Sequence, residues 1–207
     1  QPRRITATVF FSDLVGFTPI AEKFTPSELM DWLNVYMEAM SKEIFSNQGV
    51  VDKYMGDAIM ALFGVPFGSD TEEGIALNAR NAVIAALGMS AQLKLLNPIW
   101  QEQGLPTVGM RVGIFTGSLV AGSVGGADRM EYTVIGDAVN TAARLESYDK
   151  TYGVEDGGCR ILIGKATKDY LGDAFVLKDV GMVNLKGKSE GVAIYQVMGF
   201  RQGSGLT

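Results

Sequence analysis

Val50-Val-Asp-Lys-Tyr-Met-Gly-Asp-Ala-Ile-Met-Ala-Leu-Phe63 decides the fold of this chain. Two β-favouring runs, Val50 to Met55 and Ala58 to Phe63, flank Gly56-Asp57. A two-residue connection of this type predicts a tight antiparallel hairpin. Upstream, Thr25-Pro26-Ser27-Glu28 carries the marks of a helix start: Thr25 as N-cap, Pro26 at the first helical position and Glu28 closing a capping box. Leu29, Leu33, Tyr36, Met37, Met40, Ile44 and Phe45 then recur at helical spacing, and Gly49 is expected to end the helix. Further upstream, Ile5 to Phe11 reads as a buried strand, running into a turn over Ser12-Asp13-Leu-Val-Gly-Phe-Thr18.

Working downstream, a loop is expected over Pro66 to Asp70. A second long helix follows, from about Thr71 toward Leu96, with Ala76, Ala79, Val83, Leu87, Ala91 and Leu95 on its apolar side. Pro98 is predicted to end or bend it. Val108 to Phe115 is another strand. The order is β-α-β-β-α-β, which makes the chain an α+β protein with a ferredoxin-like core. Additional C-terminal elements follow: a glycine-dense stretch from Gly117 to Gly126, a strand over Met130 to Ile135, and a helix to about Tyr148 with Asp137 as its N-cap. Strands at Ile161–Ile163, Phe175–Val180 and Val192–Val197, with a short helix over Lys165 to Leu171, complete the set. One domain is expected over residues 1–200, with 201–207 as a tail or linker. The abrupt entry into the first strand suggests a domain drawn from a longer protein.

Composition narrows the chemistry. Of 207 residues, 47% are hydrophobic and 20% charged, the make-up of an ordinary globular protein. The net charge of −5 argues against nucleic acid as a partner, since phosphate contacts need clustered Lys and Arg. With one Cys and no His, an internal disulfide, a His or Cys zinc site, and any Ser-His or Cys-His pair are all excluded. The lone Cys suits a reducing compartment. No uninterrupted apolar run of 18 residues is present, so no membrane span is expected in this segment.

Two carboxylates then stand out. Asp13 follows a buried strand and Asp57 sits in the hairpin tip, and a ferredoxin-like core makes these two elements neighbours. Hard cations such as Mg²⁺ favour one or two carboxylates plus substrate phosphates. Two ordinary turn residues would read the same way, because Asp is common at turns. Asn140 and Arg144 lie four residues apart on one helix face, where an amide and a guanidinium suit a sugar and a phosphate, or simply a solvated surface. Gly181-Met-Val-Asn-Leu-Lys-Gly-Lys-Ser189 imitates a P-loop but has five residues between its glycines and no helix after it, so it is rejected.

Taken together, four blocks resemble the class III adenylate and guanylate cyclases. They are Val9-Phe-Phe-Ser-Asp-Leu-Val-Gly-Phe-Thr18, Lys53-Tyr-Met-Gly-Asp-Ala58, Met110-Arg-Val-Gly-Ile-Phe-Thr-Gly117 and Tyr132-Thr-Val-Ile-Gly-Asp-Ala-Val-Asn-Thr-Ala-Ala-Arg144. They occur in the family's order, and Leu185-Lys-Gly-Lys188 with Tyr195-Gln-Val197 resembles its closing strands. The resemblance implies that Asp13 and Asp57 hold two Mg²⁺ or Mn²⁺ ions, with the Leu14 carbonyl as a further ligand. Phe17 and Thr18 would meet the terminal phosphates through backbone N–H groups, and Arg111 would contact phosphate. Lys53 and Thr133, with Val134 beside it, would read the purine. Asn140 would orient the ribose and Arg144 would stabilise the transition state.

Thr133 departs from the commonest adenylate cyclases, which carry Asp there, and is similar to a Thr-bearing subgroup that includes cyanobacterial and soluble bicarbonate-responsive enzymes. Guanylate cyclases instead place Glu at the Lys53 position and Cys at the Thr133 position. Lys is donor-only and cannot accept from guanine N1–H, so Lys53 favours adenine. Phe115 replaces a His often found in the third block. The resemblance implies an adenylate cyclase, converting ATP to 3′,5′-cyclic AMP and pyrophosphate at sites shared across a homodimer. Asp13, Asp57 and Arg111 would come from one chain, and Lys53, Thr133, Asn140 and Arg144 from its partner. A cytoplasmic location, or the cytoplasmic face of a larger membrane-associated protein with regulatory domains, is expected. A guanylate cyclase and a catalytically silent nucleotide-binding sensor are the competing readings.

Overall fold

A computed structural model describes residues 1–66, 68–154 and 157–206. Phe67, within the expected Pro66–Asp70 loop, and Thr207, at the end of the expected tail, lie outside the described residues. The elements run β1 (Arg3–Val15), α1 (Phe17–Lys23), α2 (Pro26–Ser46), β2 (Val50–Met55), β3 (Ala58–Phe63), α3 (Glu72–Glu102), β4 (Gly109–Gly126), β5 (Arg129–Ile135), α4 (Asp137–Ser147), β6 (Cys159–Gly164), α5 (Lys165–Lys168), β7 (Phe175–Val183) and β8 (Val192–Phe200). The sheet has eight strands in the order β2-β3-β1-β4-β6-β8-β7, with β5 pairing β4 off that path. The β2-β3-β1-β4 portion has the strand order of a ferredoxin-like core. The hairpin turns at Gly56-Asp57 as its sequence predicts.

Alternation along β1 and β4 sorts the chain into two packed faces. Phe10 and Leu14 on β1, with Met110, Val112 and Ile114 on β4, pack into one cluster with Trp32, Tyr36, Met40 and Ile44 of α2 and Ala79, Val83, Ala86 and Met89 of α3. Ile5, Ala7 and Val9 face the other way, into a cluster with Leu119, Val134 and the α4 residues Ala138 and Ala142. Asp13 and Arg111 continue this second series, so both point to the α4 side. There the approach is very close. A Cβ on Gly113 would lie 2.3 Å from the Glu146 amide nitrogen and 2.4 Å from the Ala142 carbonyl oxygen, and one on Gly117 would lie 3.3 Å from the Ala138 Cβ. A glycine seam on β4 thus seats an alanine face of α4.

Several expectations are corrected. β1 continues past Asp13 to Val15, because β4 pairs with it along its whole length. β4 does not stop at Phe115: pairing with β1 and then β5 carries it through the glycine-dense stretch to Gly126. Pro98 does not end α3, which runs on to Glu102. Tertiary contacts hold that last turn: the Asn97 side chain donates to the Val108 carbonyl (2.9 Å) and accepts from the Val108 amide (3.0 Å), and Trp100 packs 4.8 Å from Trp32. Gly136, and not Asp137, is the N-cap of α4. After α2 the left-handed residue is Gln48 (φ 66°), whereas Gly49 is small because a Cβ there would meet the Phe63 ring at 2.6 Å. The Thr25 cap is as expected, its Oγ1 accepting from the Glu28 amide at 3.2 Å. α3 is long and apolar enough by composition to cross a membrane; here its buried residues, Ile75 to Trp100, pack chiefly into the α2 core.

Candidate active site

The β1–β4 register sets Asp13 directly opposite Arg111. The Arg111 guanidinium, almost wholly buried, lies 3.3 Å from Asp13 Oδ2 and 3.7 Å from Glu146 Oε1. Asp57 reaches the same spot from the hairpin tip: its Oδ2 accepts from the Leu14 amide at 3.0 Å. The turn that delivers it needs the positive φ of Gly56 (63°), which glycine adopts without strain. Asp13, Leu14, Asp57 and Arg111, inferred from widely separated blocks, therefore converge. Just beyond, Gly16 (φ 83°) caps α1, which begins at Phe17; the Phe17 ring packs 6.0 Å from Trp32, and Thr18 is exposed.

Sequence reasoning missed Glu146. It completes a carboxylate–guanidinium–carboxylate row with Asp13 and Arg111. Burial first, then the neighbouring Asp13, push its carboxyl up to about 8, against the pull of Arg111 and Lys150. The available signal was periodicity: Glu146 is four residues after the buried Ala142, hence on the inward stripe of α4. Arg160 was also missed. Fully buried on β6, it donates to the carbonyls of Asp149 (2.6 Å), Tyr152 (2.9 Å) and Glu146 (2.9 Å), clasping the C-terminal end of α4 and the turn after it.

The residues at this centre fit a divalent cation of the Mg²⁺ type. Such ions take one or two protein carboxylates and complete their shell with water and phosphate oxygens. Asp13 and Asp57 supply two carboxylates, and Asp13 Oδ1 is buried without a hydrogen-bond partner. Among the described residues no group of three or more His, Cys, Asp or Glu side chains is arranged to hold a metal.

The remaining expected residues lie elsewhere. Lys53 is exposed on the edge strand β2, 3.5 Å from the Asp52 carboxylate. Thr133 is half-buried and Val134 buried on β5. Tyr132 lines a cavity of about 360 Å³ with Val50, Val51 and Asp52. Asn140 is exposed and Arg144 half-buried on α4. Arg144 is two residues from Glu146 and Asn140 six. At 100° per residue that spacing turns both away from the stripe that meets Arg111. Within one chain, Asn140 and Arg144 therefore face away from the Asp13–Asp57 centre.

An aspartate on β1 and another at the β2–β3 hairpin tip beside a buried arginine, on a ferredoxin-like core extended by a β-ribbon and helix, define a nucleotide cyclase catalytic domain. The chain belongs to the adenylate and guanylate cyclase catalytic domain family, matching it over residues 2–199. It is 38% identical over 197 residues to an adenylate cyclase of Anabaena cylindrica, covering 92% of this chain and 36% of that protein. It is 39% identical to the terminal-differentiation-specific adenylate cyclase of Dictyostelium discoideum, covering 92% of this chain and 8% of that one. The chain thus spans only a minor part of these relatives. Among solved structures it resembles the adenylyl cyclase CyaB from P. aeruginosa (37% identity, TM-score 0.86, 98% of each chain covered). It also resembles the guanylyl cyclase Cya2 (32% identity, TM-score 0.82, 97% of this chain and 95% of that one).

Proposed function

We propose that this domain converts ATP to 3′,5′-cyclic AMP and pyrophosphate, at two equivalent sites formed between two copies of the chain. The ribose 3′-oxygen attacks the α-phosphorus, and the bond from that phosphorus to the oxygen leading to the β-phosphate breaks. Asp13 and Asp57, with the Leu14 carbonyl, would hold Mg²⁺ or Mn²⁺, two per site. Bound there, the ions lower the pKa of the attacking hydroxyl and neutralise charge on the leaving group. Arg111 fixes the Asp13 carboxylate and supplies positive charge under the phosphates. The Phe17 and Thr18 amides receive the terminal phosphates. From the partner copy, Asn140 orients the ribose and Arg144 meets the charge developing on the transferred phosphoryl group.

The observation that carries the shared-site reading is the geometry of α4. Glu146 turns into the Arg111–Asp13 row, which leaves Asn140 and Arg144 on the opposite side, so a second chain must bring them to the aspartates. Two-fold symmetry makes one such arrangement into two sites. Adenine preference rests on Lys53, a donor able to meet purine N1 of ATP but not the N1–H of GTP. Thr133 accepts from the exocyclic amine, with Val134 packed behind it. The likeness to a guanylyl cyclase structure favours GTP as the second reading. Cyclic products measured from ATP and from GTP, each with Mg²⁺ and Mn²⁺, separate the two. Cyclic AMP as the dominant product supports the proposal, cyclic GMP the alternative, and no product from either nucleotide a silent sensor. By its relatives' lengths the domain serves a longer, regulated protein, which we place in the cytoplasm or on the cytoplasmic face of a membrane.

A further inference from the structure

One guanidinium nitrogen of Arg144 is already committed. Its Nε donates to the Lys186 carbonyl at 3.1 Å, while its two terminal nitrogens make no hydrogen bond or ion pair among the described residues. Lys186 belongs to the turn between β7 and β8, far from α4 in sequence. Two contacts fasten that turn against α4, and a third closes it on itself. Leu185 is buried with Leu145, Leu162 and Ile194. The Lys188 amide donates to the Leu185 carbonyl at 3.1 Å, closing the turn on itself. The Lys188 ammonium lies 2.6 Å from Asp137 Oδ2 in the first turn of α4, and 5.9 Å from the centre of the Phe115 ring.

We infer that Asp137 and Lys188 form a latch that holds the Leu185–Lys188 turn in place, so that the Lys186 carbonyl aims Arg144. Both are positioning residues: they act through Arg144 and touch no substrate. The inference rests on the reading of Arg144 as the residue that meets transition-state charge. An arginine side chain has four rotatable bonds and disperses widely unless its head is fixed. A carbonyl on Nε fixes the plane of the head and leaves the two terminal nitrogens free to bind two phosphate oxygens at once. An isolated exposed ion pair contributes little. This one is backed by the Phe115 ring and closes a turn already anchored by Leu185, so its loss frees the segment whose carbonyl holds Arg144.

The test is a double-mutant cycle on the dimeric protein with ATP and Mn²⁺. Asp137→Asn and Lys188→Gln are each expected to lower kcat by about threefold to tenfold, with KM nearly unchanged. Lys188→Arg keeps the charge and should restore most of that loss. In an Arg144→Ala background, Asp137→Asn should cost nothing further, because the residue that the latch aims is gone. Wild-type kcat in both latch variants, or an equal loss with and without Arg144, overturns the inference while leaving the reading of Arg144 intact. Full turnover of Arg144→Ala by itself overturns both.

Discussion

Gly113→Ala tests how tightly the fold controls the site. The added methyl would sit 2.3 Å from the Glu146 amide nitrogen and 2.4 Å from the Ala142 carbonyl oxygen. Both are backbone atoms of α4, so no side chain can swing aside. Ordinary contact begins near 3.4 Å, so α4 must back away from β4 by about 1 Å. Forced overpacking of this kind costs about 2 kcal/mol, which lowers Tm by roughly 4–8 °C in a domain of this size. The effect on activity should be larger than the loss of stability. α4 carries Asn140 and Arg144 on one side and Glu146 on the other, and a 1 Å misplacement of reacting groups costs about a hundredfold in rate. Differential scanning fluorimetry and steady-state cyclic AMP production measure the two effects on the same sample. A Gly113→Ala protein with wild-type Tm and turnover would refute the close seating of α4 and the control of the site derived from it.

Three further outcomes follow from single contacts. Arg160→Ala leaves the carbonyls of Glu146, Asp149 and Tyr152 without their buried donor; the loss is about 3 kcal/mol or more, seen as a Tm drop of roughly 6–12 °C. Burial pushes the Cys159 thiol up to about 12, so native protein at pH 8 should resist iodoacetamide while denatured protein reacts at once, as mass spectrometry would show. Because this folded-state value is raised above the ordinary 9.0, the contribution of Cys159 to stability is complete below pH 9 and declines between pH 9 and 12. Lys53→Glu with Thr133→Cys should shift the ATP-to-GTP preference toward GTP by about a hundredfold, read from the ratio of kcat/KM values.

The parts legible in the sequence are those whose cause is local. The Gly56-Asp57 hairpin, the Thr25 cap and the α2 stripe follow from turn chemistry and periodicity over a few residues, and Asp13 and Asp57 stood out because the sequence reads both as turn carboxylates, although β1 runs on past Asp13 to Val15. What was not legible depends on partners distant in the chain. Pro98 reads as a helix end until Val108 and Trp32 are in place around it. The glycines from Gly117 to Gly126 read only as a glycine-dense stretch until β1 and β5 pair with them and α4 is seated on Gly113 and Gly117. Glu146 and Arg160 look like ordinary charged residues of a helix and a strand; only packing turns one toward Arg111 and buries the other beneath the end of α4. The shared face of Asn140 and Arg144 reads equally as a solvated surface, their roles come from the family resemblance, and which way that face points required the position of Glu146.

The shared site is most directly tested by complementation. Asp57→Ala and Arg144→Ala chains are each expected to keep only a small residual activity as homodimers. When they are mixed and allowed to exchange, half of the dimers combine the two chains. Each such dimer has one site with both residues intact and one with neither, so activity should return to about one quarter of the wild-type value. Mixed dimers shown to form, yet with no recovered cyclic AMP production, would contradict a site built from Asp13 and Asp57 of one chain and Asn140 and Arg144 of the other.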